Sequence, residues 1–126
     1  MAEQPRGEMK LRTMTMPGDL NAVGTIFGGW IMARMDQAAG MAASARARGL
    51  TTVAAVKELR MLRPLHPGQE IEIFAELVKT GRSSMQFMLQ LWACDHGNAP
   101  RQLCADALFV MVAVDETGRP RLLPEG

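Results

Sequence analysis

Residues 28–48, Gly-Gly-Trp-Ile-Met-Ala-Arg-Met-Asp-Gln-Ala-Ala-Gly-Met-Ala-Ala-Ser-Ala-Arg-Ala-Arg, decide the fold of this chain. They are rich in Ala and Met, which favour a helix, and they are followed by Gly49, with Arg46 and Arg48 in the last turn where cations meet the negative end of the dipole. The sequence therefore predicts a helix from about Gly28 to Arg48, ending at Gly49. Its small side chains can be buried only if a sheet curls around them, and Ala and Gly permit that close approach.

Outward from this helix the chain alternates with period two. Residues 8–16 place Met9, Leu11, Thr13 and Thr15 opposite Lys10, Arg12, Met14 and Met16, a strand ended by Pro17-Gly18. Residues 19–29 read as a loop with Gly at 24, 28 and 29. Residues 51–61 are β-like in their first half, and Arg63-Pro64-Leu65-His66-Pro67-Gly68 makes a turn. From Gln69 to Thr80, Ile71, Ile73, Ala75 and Leu77 oppose Glu70, Glu72 and Glu76. After Gly81-Arg82, residues 84–94 set Met85, Phe87, Leu89, Leu91 and Ala93 against Ser84, Gln86 and Gln90. Residues 95–100 read as a loop. Residues 103–114 are apolar on both faces and belong inside a sheet, and the chain closes on a polar tail from Asp115, its last part residues 117–126. Short turns between the last four strands require antiparallel neighbours. One domain over residues 1–126 follows, an α+β roll with an antiparallel sheet around one long helix.

Composition excludes more than it selects. The chain has 126 residues, 48% hydrophobic and 21% charged, with a net charge of +1, which offers no basic surface for nucleic acid and no signature of a membrane protein. The first eight residues lack the apolar centre of a signal peptide. Cys94 and Cys104 have neither metal-site nor redox spacing, so no metal is expected and a cytoplasmic protein with reduced thiols is the simplest reading. Both histidines, His66 and His96, fall in turns and read as surface groups. Eleven Met and no Tyr suit irregular apolar filling.

One carboxylate stands out. Asp36 is the only acidic side chain between Leu20 and Lys57, and its helical neighbours three and four positions away are Met32, Ala33, Ala39 and Gly40. A carboxylate on a dry helix face is made basic by burial and becomes a candidate general base. The competing reading is a structural Asp that caps a turn or pairs with Arg34 or Arg46.

The run Asp19, Asn21, Gly24, Phe27, Gly28, Gly29, Met32, Asp36 resembles the hotdog-fold acyl-CoA thioesterases, in particular the short bacterial YciA-like subgroup related to brain-type acyl-CoA hydrolases. Arg63-Pro64, Gly81-Arg82-Ser83-Ser84, Asp106-Ala107-Leu108-Phe109 and Val112-Ala113-Val114-Asp115 extend the likeness over nearly the whole chain. The second strand departs from the pattern at Lys57, Arg60 and Met61, which bears on the acyl pocket. The resemblance implies hydrolysis of a fatty acyl-CoA with Asp36 as the essential carboxylate and Gly28-Gly29 at the oxyanion site. It also implies no cofactor beyond the CoA of substrate and product, and a homodimer joined through its sheets, commonly assembled as a trimer of dimers.

The chemistry accounts for these residue types. Thioester hydrolysis builds negative charge on the carbonyl oxygen, and free N–H groups at a helix N-terminus supply donors and the positive end of the dipole. Tight packing at the helix entry is the other use of Gly28 and Gly29. Eight residues of helix put Asp36 roughly 12 Å along the axis from Gly28, too far to serve the same carbonyl, so the expected site is shared across a dimer. Asn21 could orient the water or bind the carbonyl, or close an Asx turn. Arg63, Arg82, Ser83 and Ser84 are candidates for the CoA phosphates. A hydratase would place a His near the helix entry, and residues 17–49 hold none. A non-catalytic acyl-CoA-binding module, or a partner-protein face made by Trp30, Met32 and Met35, are the other readings.

Overall fold

The computed structural model describes residues 4–95 and 100–126. The chain forms β1 (Glu8–Met14), a 3₁₀ turn (Pro17–Asp19), α1 (Gly28–Ala47), β2 (Thr51–Met61), β3 (Gln69–Thr80), β4 (Ser84–Asp95) and β5 (Gln102–Ala113). The five strands make one sheet in the order β1-β3-β4-β5-β2, antiparallel at every pair, and α1 packs against all five. This is the expected α+β architecture of a hotdog fold. His96 and most of the expected 95–100 loop lie outside the described residues.

The helix buries Ile31, Met35, Ala38, Ala39, Ala42, Ala43 and Ala47, a stripe at helical spacing whose small members let the sheet close in. Facing it are Ile71, Ile73 and Ala75 of β3, Met85, Phe87, Leu89 and Leu91 of β4, and Ala105, Ala107, Phe109 and Met111 of β5. Leu77, expected inward, is exposed where β3 runs out toward the Gly81 turn beside a register shift. The opposite face of the sheet carries ion pairs that strand alternation alone did not reveal: Arg60 bonds both carboxylate oxygens of Asp106, and Arg101 Nε donates to Glu72 at 2.6 Å. Trp92 is buried there and donates its indole N–H to Gln90.

Further expectations are corrected. The short turn between β2 and β3 does not make them neighbours: β2 pairs with β5 at one edge of the sheet, while β3 lies between β1 and β4. The second strand is β throughout, although its register slips between Val53 and Ala55 and again between Lys57 and Arg60; Glu58, inside the second bulge, has φ +51°. The helix ends with Arg48, not Gly49, in the left-handed conformation. Gly49 serves space instead: a Cβ there would come within 2.7 Å of Arg121 Nη2, which donates to the helix-end carbonyl of Ala47. The polar tail is docked, because Arg121 also bonds Val114 O, Arg46 bonds Pro124 O and Leu123 packs on the core. Among the described residues no helix is long and apolar enough to cross a membrane.

Candidate active site

The site begins with the loop before α1. Asn21 closes it: its side-chain oxygen accepts from the N–H of Val23 and Thr25, and its amide donates to Thr25 Oγ1 at 2.9 Å. The amide thus carries out the Asx-turn role in this structure. Ile26 N–H bonds Leu65 O and Phe27 N–H bonds Asp19 O, which aims the chain into the first helical turn. That turn has no acidic residue and no side-chain cap on Phe27. Among the described residues, no hydrogen bond engages the N–H groups of Gly28 and Gly29. The positive end of the α1 dipole is therefore left open.

A cavity of about 290 Å³ lies against this helix end, lined by Ile26, Gly28, Ile31, Met61, Leu62, Arg63 and Pro64. Met61, the departure noted in the second strand, lies beside Gly28: a Cβ on that glycine would sit 3.6 Å from its Cε. Arg63 reaches back to Leu103 O and keeps most of its donors free for a ligand.

Asp36 opens onto a second cavity, of about 280 Å³, with Met32, Ala33, Val53, Val56 and Phe109. The apolar surroundings match the sequence reading, but the dryness does not: Asp36, Met32 and Ala33 are exposed in the single chain. Nothing in one subunit covers this face of α1. The proposed ion partners are engaged elsewhere, Arg46 on Pro124 O and Arg34 stacked 5.4 Å from the Trp30 ring, and Asp36 has no ion pair among the described residues. The suggested partner face narrows, because Met35 is fully buried, while Trp30 is half-buried against the core and Met32 is exposed.

The CoA candidates separate. Arg63 stands at the N-terminal end of α1 beside Gly28. Arg82, Ser83 and Ser84 form the β3–β4 turn, whose backbone bonds Leu123 and Ala113 near the helix C-terminus, roughly 30 Å away by helix length. A further cavity, about 550 Å³ between Arg48, Leu50, Asp115 and Arg121, is also at that far end and holds none of the candidate site residues. Cys104 is no nucleophile: burial pushes its thiol up, against a smaller opposing effect of Arg63. Val53 and Val56 went unrecognised in the sequence because residues three apart fall on opposite faces of a regular strand; the bulge between them brings both to the helix side.

With this geometry in place, the likeness to known proteins decides the family. Residues 23–99 match the model of the thioesterase superfamily. The chain belongs to that superfamily. It is 39% identical over 127 residues to the acyl-CoA thioester hydrolase YciA of Salmonella typhimurium, covering 98% of this chain and 96% of the relative. Among solved structures it superposes on the hexameric thioesterase y2039 from Yersinia pestis with a TM-score of 0.92 and 38% identity, over 98% of this chain and all of the other. It also matches an acyl-CoA hydrolase of Staphylococcus aureus solved with butyryl coenzyme A, with a TM-score of 0.83 and 29% identity, over 90% of this chain and 70% of that one. Two of these relatives are acyl-CoA hydrolases and the third is a thioesterase, and the fold of the two solved structures is the one described above.

Proposed function

We propose that this thioesterase-superfamily chain, acting as one domain with its docked tail, hydrolyses acyl-CoA thioesters to a free fatty acid and CoA. The observation that carries the reading is the pair of unengaged amides at the N-terminus of α1 on the same helix as a carboxylate that faces an apolar cavity. The thioester carbonyl oxygen sits at the Gly28 and Gly29 N–H groups. Asp36 takes a proton from water as the water oxygen attacks the carbonyl carbon; the oxyanion collapses, the C–S bond breaks, and the proton passes to the departing thiolate. One such donor is typically worth about a hundredfold to a thousandfold in rate. Asn21 holds the loop that aims the amides. Arg63, with Arg82, Ser83 and Ser84 from another subunit, meets the CoA phosphates, and no cofactor enters the reaction.

Gly28 and Asp36 stand eight residues apart on one regular helix, so the site combines Gly28 of one chain with Asp36 of a second. The partner also supplies the cover that leaves Asp36 dry. β2 supports this arrangement: it is an edge strand of eleven residues with Val53, Val56 and Met61 exposed, and an unpaired edge of that length pairs with another chain. Three such dimers give the hexamer stated for the Yersinia pestis relative. The cytoplasm is the proposed setting, a reading supported by two cysteines without metal-site or redox spacing.

The test is thiol release from acetyl-, hexanoyl-, lauroyl- and palmitoyl-CoA by the wild type and by Asp36→Asn. Turnover that drops at least a hundredfold in the folded variant supports the reading. A wild type that binds acyl-CoA but releases no thiol is a binding module, and the proposal fails.

A further inference from the structure

We infer that the acyl tail of the substrate lies between α1 and β2 of the subunit that supplies Asp36, and that Met32, Val53 and Val56 set its length. This rests on the thioesterase reading above and adds a direction to it. Asp36 itself lines the cavity, and every other wall is hydrocarbon: Met32, Ala33, Val53, Val56 and Phe109. Met32, Ala33 and Asp36 share one face of α1 within about 6 Å of axis, so a carbonyl held beside the carboxylate has its first methylenes against that wall without a turn of the chain. Apolar contact there removes water from the base as the substrate binds.

The strand side of the cavity is built by an irregularity. In an unbroken strand Val53 and Val56 would face opposite ways. The register slip between Val53 and Ala55 turns both toward Phe109 and the helix. The other cavity, at Gly28, has Arg63 in its wall, which suits the amide and phosphate groups of the CoA arm rather than a hydrocarbon. Met61 lies in the Gly28 cavity, so it belongs to the arm and not to the tail.

The experiment compares kcat/KM for acetyl-, octanoyl- and palmitoyl-CoA in four proteins: wild type, Val56→Phe, Met32→Ala and Met61→Ala, with thermal melts and gel filtration to establish that each is folded and assembled. Val56→Phe is expected to lower the palmitoyl-to-acetyl ratio at least tenfold, and Met32→Ala to raise it. Met61→Ala is expected to move every substrate by a common factor. Equal losses for all chain lengths in both Val56→Phe and Met32→Ala overturn the inference, as does a ratio that responds to Met61→Ala instead. Should Val56→Phe fail to assemble, Val53→Leu with Met32→Ala carries the same comparison. A folded wild type that hydrolyses none of the three substrates is a different outcome, which defeats the thioesterase reading itself.

Discussion

At the scale of single residues, Asp36 is a carboxylate whose position serves chemistry, and Glu58, like Arg48 at the helix end, holds a left-handed backbone conformation that works against stability. Asp36 has no ion pair among the described residues and borders a hydrocarbon cavity. Its replacement by Asn, which keeps the shape and removes the base, is expected to lower thiol release by about two to four orders of magnitude with an unchanged melting curve. Glu58 is the converse case. A non-glycine residue in the left-handed region costs roughly 1–2 kcal/mol, while glycine gives back about 0.5–1 kcal/mol through its freer unfolded chain. Glu58→Gly is therefore expected to raise stability by about 0.5 kcal/mol in urea melts, and Glu58→Val to lower it. Asp36 could be found in the sequence because no other acid lies between Leu20 and Lys57. Its exposure could not, since helix spacing identifies neighbours along one chain and is silent about whether a second chain covers them. Glu58 gave no signal, because bulges depend on how a strand meets its partner.

At the scale of elements, α1 and the turn after β5 each make a prediction. Ala43 is fully buried beneath the sheet, and the close approach it allows is the reason the segment could be read as a wrapped helix. Ala43→Leu adds carbon where no space exists and is expected to cost about 1–3 kcal/mol by denaturant titration. In the turn, the Asp115 carboxylate accepts from the Thr117 hydroxyl and from the N–H groups of Thr117 and Arg119, and these bonds, the hydroxyl first, hold its pKa below the ordinary value. The sign follows from the depressed folded value. The contribution of Asp115 to stability is complete above the unfolded carboxylate pKa, about 3.9, and is lost as the pH falls through the lower folded one. Asp115→Asn, which keeps the acceptor oxygen but does not titrate, is expected to flatten the acid limb of melting temperature against pH below about pH 4. The sequence revealed the elements well wherever one face was buried: β3 and β4 were found nearly to the residue because Ile71, Ile73, Met85, Phe87 and Leu89 alternate against polar neighbours. β2 was only half legible. As an edge strand with two bulges it has no steady alternation, and its apolar side chains answer to a helix face and a sheet edge at once.

At the scale of the whole molecule, the half-sites on α1 make a claim that a single chain cannot satisfy. Gly28 and Asp36 belong to one rigid helix, so no loop movement closes the roughly 12 Å between them. Mixing two inactive variants turns this into a measurement. Gly28→Val crowds the amides without meeting any backbone, since the nearest atom to its added Cβ is the flexible end of Met61, and it leaves Asp36 in place. Asp36→Asn leaves Gly28 in place. If each site takes Asp36 from one chain and Gly28 from the other, a mixed dimer rebuilds one intact site, with Asp36 of the Gly28→Val chain facing Gly28 of the Asp36→Asn chain, while its second site loses both groups. Subunits exchanged at equal concentrations should then regain about one quarter of the wild-type rate, because roughly half the dimers are mixed and each holds one good site of two. The rise in thiol release should follow the rate of subunit exchange. If both parts of the site came from one chain, every site in the mixture would carry a lesion, and the rate would stay at the level of the separate variants however long the subunits were mixed.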